Sequence, residues 1–89
     1  MDIPEETTED LIRRLRRAEG QVRAVQRMLT DGSDCRQIVT QISAASKALD
    51  QVGFRLLATG MLTCAEHPER AAADGYSVEE IERLFTKLA

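Results

Sequence analysis

The chain has no tryptophan, one tyrosine and two phenylalanines in 89 residues. A core built from it must be aliphatic, made of Leu, Ile, Val and Ala, which suits packed helices better than a β-sandwich. No apolar run is long enough to span a bilayer and no signal-peptide pattern opens the chain, so a cytoplasmic protein with no membrane partner is expected. There is no C-x-x-C and only one histidine, His67, which leaves little support for thioredoxin-like exchange. Positive charge does not prevail either. The net charge is −3, which on its face argues against a nucleic-acid partner. The length implies a single domain over residues 1–89, near the lower limit for a self-sufficient core, and oligomerisation is a natural remedy.

What the chain does have is helical periodicity. Leu11, Leu15, Ala18, Val22, Val25 and Leu29 recur in alternating steps of four and three, the pattern of a helix packed on another helix. This helix is expected to begin after Thr7 or Thr8 and to end at Asp31-Gly32. A second helix is expected from Ser33 or Asp34 to about Ala65, with Asp34 and Gln37 in a capping-box arrangement. Its interior Gly53 and Gly60 each cost about 1 kcal/mol relative to Ala. Ser46, Gly53 and Gly60 recur every seven residues, a line of small side chains that would let a second helix approach closely. His67-Pro68 then breaks or kinks the helix. After a turn at Asp74-Gly75, Ser77 and Glu80 open a short third helix through Val78, Ile81, Leu84, Phe85 and Leu88. The expected fold is all-α, with two long helices and a short C-terminal one.

The two cysteines, Cys35 and Cys64, stand 29 positions apart on the same face of the second helix, about eight turns from one another. At about 1.5 Å per residue their separation is roughly 43 Å, whereas a disulfide needs Cα atoms within about 7 Å. They cannot meet within one straight helix. They can meet across two copies packed antiparallel, with the two-fold axis near Leu49–Asp50. In a reducing compartment such a pair favours reactive or metal-binding thiols over a structural disulfide. Cys35 lies at the positive end of the helix beside Arg36, which favours a thiolate. Cys64 lies near the other end with Glu66 close by. The expected division is a nucleophilic Cys35 and a resolving Cys64. Two small buried hydrophobes packed in a core are the plainer alternative. A Cu(I) or Zn site is another, with His67, three residues after Cys64, as a third ligand. Against that, Pro68 disturbs the local geometry, and an exposed histidine at a helix end is the commoner meaning.

Charge is unevenly spread. The first ten residues hold five acids and no base, while residues 11–55 hold nine Arg or Lys against four acids. Arg13, Arg16, Arg23 and Arg27 cluster opposite the apolar stripe of the first helix, with Arg14 and Arg17 on a flank. A solvated basic face is the common meaning of such a pattern. Its density, with only Glu19 as an acid among the six arginines, suits phosphate recognition. There is no helix-turn-helix and no aromatic platform for single strands.

Taken together, "RLRRAEGQVRAVQRML", "CRQIVTQISAASKALDQVGFRLL" and the second cysteine resemble the CsoR/RcnR family of bacterial repressors, from about Glu9 to Leu88. The resemblance implies a non-enzymatic, all-helical protein whose antiparallel dimers pair into a disc-like homotetramer. It implies binding of double-stranded operator DNA through basic surfaces, with Arg13, Arg14, Arg16, Arg17, Arg23 and Lys47 as the candidates, and release by an inducer. In copper-sensing members the site reads Cys, His, Cys across the dimer interface. Cys35 and Cys64 match the outer two, but the histidine position is Gly60. That departure resembles the persulfide-sensing, CstR-like branch. The expected inducer is therefore reactive sulfur, with no bound cofactor and with Cu(I) on Cys35, Cys64 and His67 as the alternative. Asp34, Arg36, Gly60 and Glu80 are candidates for the surroundings of the thiols. A third possibility is a thiol-redox or structural helical oligomer without a DNA role.

Overall fold

The computed structural model describes residues 3–89. Four helices follow one another: α1 Glu5–Thr30, α2 Cys35–Glu66, α3 Pro68–Ala73 and α4 Val78–Leu88. Among the described residues there is no strand, and no helix is long and apolar enough to cross a membrane. α1 and α2 form a long helical hairpin, and α3 and α4 fold back along the C-terminal half of α2.

α1 starts earlier than its threonines suggest. Pro4 precedes it with φ −54° and has no side-chain cap to offer. Glu5 and Glu6 fall in the first turn, where acids complement the exposed N–H groups. Thr7 and Thr8 are therefore interior residues. At the other end Gly32 takes φ +70°, the left-handed conformation that lets the chain reverse within Asp31–Asp34.

α2 runs unbroken for 32 residues. Asp34 caps it, but its carboxylate accepts from the backbone N–H of Arg36 at 3.0 Å and not from that of Gln37. The helix passes through Gly53 and Gly60 as expected, for a reason that differs from the expected one. The neighbour that approaches Gly53 is Leu88 of the chain's own α4, whose Cδ1 would lie 2.7 Å from an added Cβ. Over this half of α2 the line of small residues seats α4, so it is not open to a second copy of α2. Phe54 stacks on Phe85 with ring centroids 6.2 Å apart, which fastens α4 further.

The sequence pattern predicts three helices. α3 is a fourth, because Pro68 does more than end α2. Proline is tolerated at the first helical position, and here it opens a short helix through Ala71, Ala72 and Ala73. Gly75, at φ +83°, and Ser77, whose hydroxyl accepts from Glu80 N–H at 3.2 Å, then set the start of α4.

The protomer is not a closed body. It measures 54 × 25 × 15 Å with a radius of gyration of 16.8 Å, against about 12 Å for a compact chain of this length. Its shortest dimension is little more than one helix diameter. Leu15, Val22, Leu29, Val39, Ile42 and Leu49 remain exposed on α1 and α2. Several of them line an open apolar groove of about 680 Å³ between the two helices. Among the described residues, Ile81 is the only large side chain that is essentially sealed. A surface of this kind needs a covering partner.

Candidate functional site

Cys35 and Cys64 occupy the two ends of α2. Cys35 is the first residue of the helix and is exposed. Cys64 is 8% exposed, packed against Ala71 of α3 and Ile81 of α4 with Met61, Tyr76, Leu84 and Phe85 around them. Because α2 is continuous, the thiols are held roughly 43 Å apart, and no motion short of breaking the helix joins them within one chain. The two thiols stand in unlike surroundings. One thiol meets solvent, and the other lies beneath the chain's own C-terminal helices. The apolar residues of α4 name no partner by themselves, so the cover becomes visible only in the fold.

The residues around the thiols are only partly assembled. Asp34 is engaged in capping α2 through Arg36 N–H, and the Arg36 side chain is exposed. Glu80 lies in the first turn of α4, where one carboxylate oxygen accepts from Arg83 Nε at 3.1 Å and Nη2 at 2.8 Å. Gly60 is buried one turn before Cys64, and with Leu57, Tyr76, Ile81 and Leu84 it borders a cavity of about 160 Å³. His67 is exposed and has φ −135°, ψ 64°, where α2 has already ended. The continuous helix that would have set its imidazole beside Cys64 is absent. Among the described residues no three His, Cys, Asp or Glu side chains come together as a metal cage. The two thiols cannot meet within one chain, so a metal bound by both would lie between two copies. Cu(I), a soft ion, suits thiolates.

The basic residues mark the other surface. Arg13, Arg16, Arg17 and Arg23 on α1 and Lys47 on α2 are exposed, and Arg14 is half-buried. Arg23 sits at the rim of the α1–α2 groove, so it is nearer the apolar stripe than a position on the opposite face. Asp10 binds two of the arginines, accepting from Arg14 Nε at 3.0 Å and from Arg13 Nη2 at 3.3 Å. The Arg14 hydrogen bond, and behind it that of Arg13, holds the Asp10 carboxyl below the usual carboxylate range against some desolvation. The spacing of three and four residues makes this contact legible in the sequence, although attention to the arginines alone passes over it.

An open helical protomer with a basic outer helix and a thiol at each end of its longest helix defines a class of oligomeric, thiol-bearing helical protein. The comparisons narrow it. Residues 7–87 match the family described as metal-sensitive transcriptional repressor. The copper-sensing transcriptional repressor RicR of Mycobacterium tuberculosis is 43% identical over 63 residues, covering 71% of this chain and 62% of that protein. The copper-sensing transcriptional repressor CsoR of Bacillus subtilis is 30% identical over 79 residues, covering 89% of this chain and 78% of that one. The crystal structure of the copper-sensing repressor CsoR with Cu(I) from Geobacillus thermodenitrificans NG80-2 superposes with a TM-score of 0.70 at 36% identity, covering 99% of this chain and 88% of that chain. The match thus spans about three-fifths of the RicR relative's length. This chain belongs to the metal-sensitive transcriptional repressor (CsoR/RcnR) family.

Proposed function

We propose that this protein is an oligomeric repressor that binds double-stranded DNA through the arginines of α1 with Lys47. Its inducer is Cu(I), held between Cys35 of one subunit and Cys64 of another. The observation that carries this reading is the placement of the only two thiols at opposite ends of one unbroken helix, in a chain whose named relatives sense copper. Two thiolates from two subunits can hold Cu(I) where one chain cannot. A ligand that favours one arrangement of subunits weakens DNA binding if DNA favours another, and DNA weakens the ligand by the same factor. Inorganic Cu(I) titrated against a chromophoric chelator is expected to show strong binding that survives His67→Ala and disappears in both Cys35→Ala and Cys64→Ala. Loss of affinity in His67→Ala would bring the imidazole back into the site, and failure to compete with the chelator would remove copper.

The resemblance drawn from the sequence implies reactive sulfur as the inducer. The relatives favour copper, but one residue keeps sulfur as a second reading. Gly60 stands where the family's copper sensors carry a histidine, so the third ligand is missing. In that reading the Cys35 thiolate attacks an inner sulfur of a polysulfide, takes up two sulfurs as Cys35–S–S–SH and releases the shortened polysulfide. The Cys64 thiolate of a partner then attacks the middle sulfur of that chain. The bond to the terminal sulfur breaks, hydrosulfide leaves, and a three-sulfur bridge from Cys35 to Cys64 remains. Non-reducing intact mass after inorganic polysulfide treatment separates the readings: a cross-linked dimer with added sulfur supports sulfur sensing, and unmodified monomer removes it.

The DNA face is tested by salt. Affinity for a duplex from upstream of the protein's own coding sequence is expected to fall steeply with salt. Arg16→Ala with Arg17→Ala is expected to lower that log–log slope by about 2. An unchanged slope would place the phosphates elsewhere.

A further inference from the structure

Asp10 opens the basic stretch of α1 and is bound to two of its arginines. Coulomb's law gives a simple expectation for an acid beside a DNA-binding surface: it repels phosphate, and removing it tightens binding. The geometry points the other way, and we propose that Asp10 is a positioning residue, which holds the Arg14 guanidinium so that its terminal amino groups are presented to a DNA phosphate. The inference rests on the reading of α1 as the DNA face.

Three observations carry it. The hydrogen bond from Arg14 runs through Nε at 3.0 Å. A guanidinium held by Nε keeps its two terminal amino groups for a second, forked contact, the geometry that suits a phosphate. The pair is also set down against the protein: the side chains of Arg14 and Asp10 are 34% and 35% exposed, whereas that of Arg13 is 71% exposed. Arg14 is thus the arginine with a fixed place, and Arg13 is the freer one. Finally, the carboxylate is itself steadied by a second guanidinium, with Arg13 Nη2 at 3.3 Å. The Arg14 hydrogen bond first, and that of Arg13 after it, lower the Asp10 pKa and so favour the carboxylate. A long side chain fixed before binding loses less freedom on binding. The local charge of one acid against two bases stays positive, so attraction of phosphate survives the acid.

The two accounts predict opposite signs. In gel shifts on duplexes tiling the protein's own upstream region, in reductant and without inducer, Asp10→Ala is expected to weaken binding about fivefold, the scale of ordering one long side chain. Asp10→Asn keeps an amide oxygen for Nε and is expected to recover most of that loss. In an Arg14→Ala background, Asp10→Ala is expected to cost nothing further, because there is no fork left to hold. Equal or tighter binding by Asp10→Ala would overturn the proposal while leaving the DNA face intact, as would an equal loss in both backgrounds. If the unsubstituted protein shifts no duplex even at low salt, the DNA-face reading falls and takes this inference with it. Far-ultraviolet circular dichroism of each variant confirms that α1 is still formed.

Discussion

Mixing Cys35→Ala subunits with Cys64→Ala subunits is expected to restore inducer binding that neither variant has alone. Each variant by itself lacks one thiol at every end of an antiparallel pair, so no end is complete. In a mixed pair, one end brings together Cys35 from the Cys64→Ala subunit and Cys64 from the Cys35→Ala subunit, and the other end has neither. With random exchange, half the pairs are mixed and each holds one of two sites, giving about a quarter of the unsubstituted capacity, as an isologous pair requires. A site formed within one chain could not be rescued this way. The unbroken 32-residue α2 is why the prediction is sharp, since no intrachain geometry competes. Cu(I) stoichiometry after unfolding and refolding the mixture measures it. Capacity equal to the unmixed variants would show that the sites are not shared.

The second large effect concerns Cys64. Ile81, 2% exposed, is the keystone of the contact that covers this thiol. Ile81→Ala removes three carbons from a sealed position and is expected to cost about 3 kcal/mol. Where the cover opens locally and Cys64 reacts only when uncovered, the labelling rate follows the open population. A loss of that size corresponds to an increase of about a hundredfold in the rate of alkylation at Cys64. Cys35, at the far end of α2 and not covered by α3 or α4, serves as the internal reference and should be unaffected. Pulsed alkylation with peptide mass spectrometry reads both sites at once. If Cys64 in the unsubstituted protein labels as fast as Cys35, the cover does not protect it, and the variant's effect should vanish. The result bears on both inducers, because either must reach a thiol that α3 and α4 enclose.

The long elements were legible because a single cause dominates each of them. Spacing of apolar residues in steps of three and four sets α1 and α2, and Ser77 with Glu80 sets the start of α4. The sequence misleads where two causes compete. Thr7 and Thr8 are good caps, yet α1 starts sooner, directly after Pro4, with two acids in its first turn. Pro68 ends one helix and is equally able to begin another, and the alanines after it decide for the helix. Gly53 signals close approach, but a glycine cannot name what approaches. In the structure it is Leu88 of the same chain.

The sequence by itself determined the all-helical class, the basic face of α1 and the separation of the thiols, because each follows from helical pitch along one continuous segment. It also carried the family resemblance, including the glycine at position 60. Only the tertiary structure decided how the thiols differ in burial, with Cys35 open and Cys64 enclosed. It alone showed that Asp10 grips Arg14 through Nε and that Glu80 is engaged with Arg83. These are questions of which surfaces meet and which donor a side chain chooses. Periodicity is silent on both, because burial and hydrogen bonding depend on where remote segments fold back.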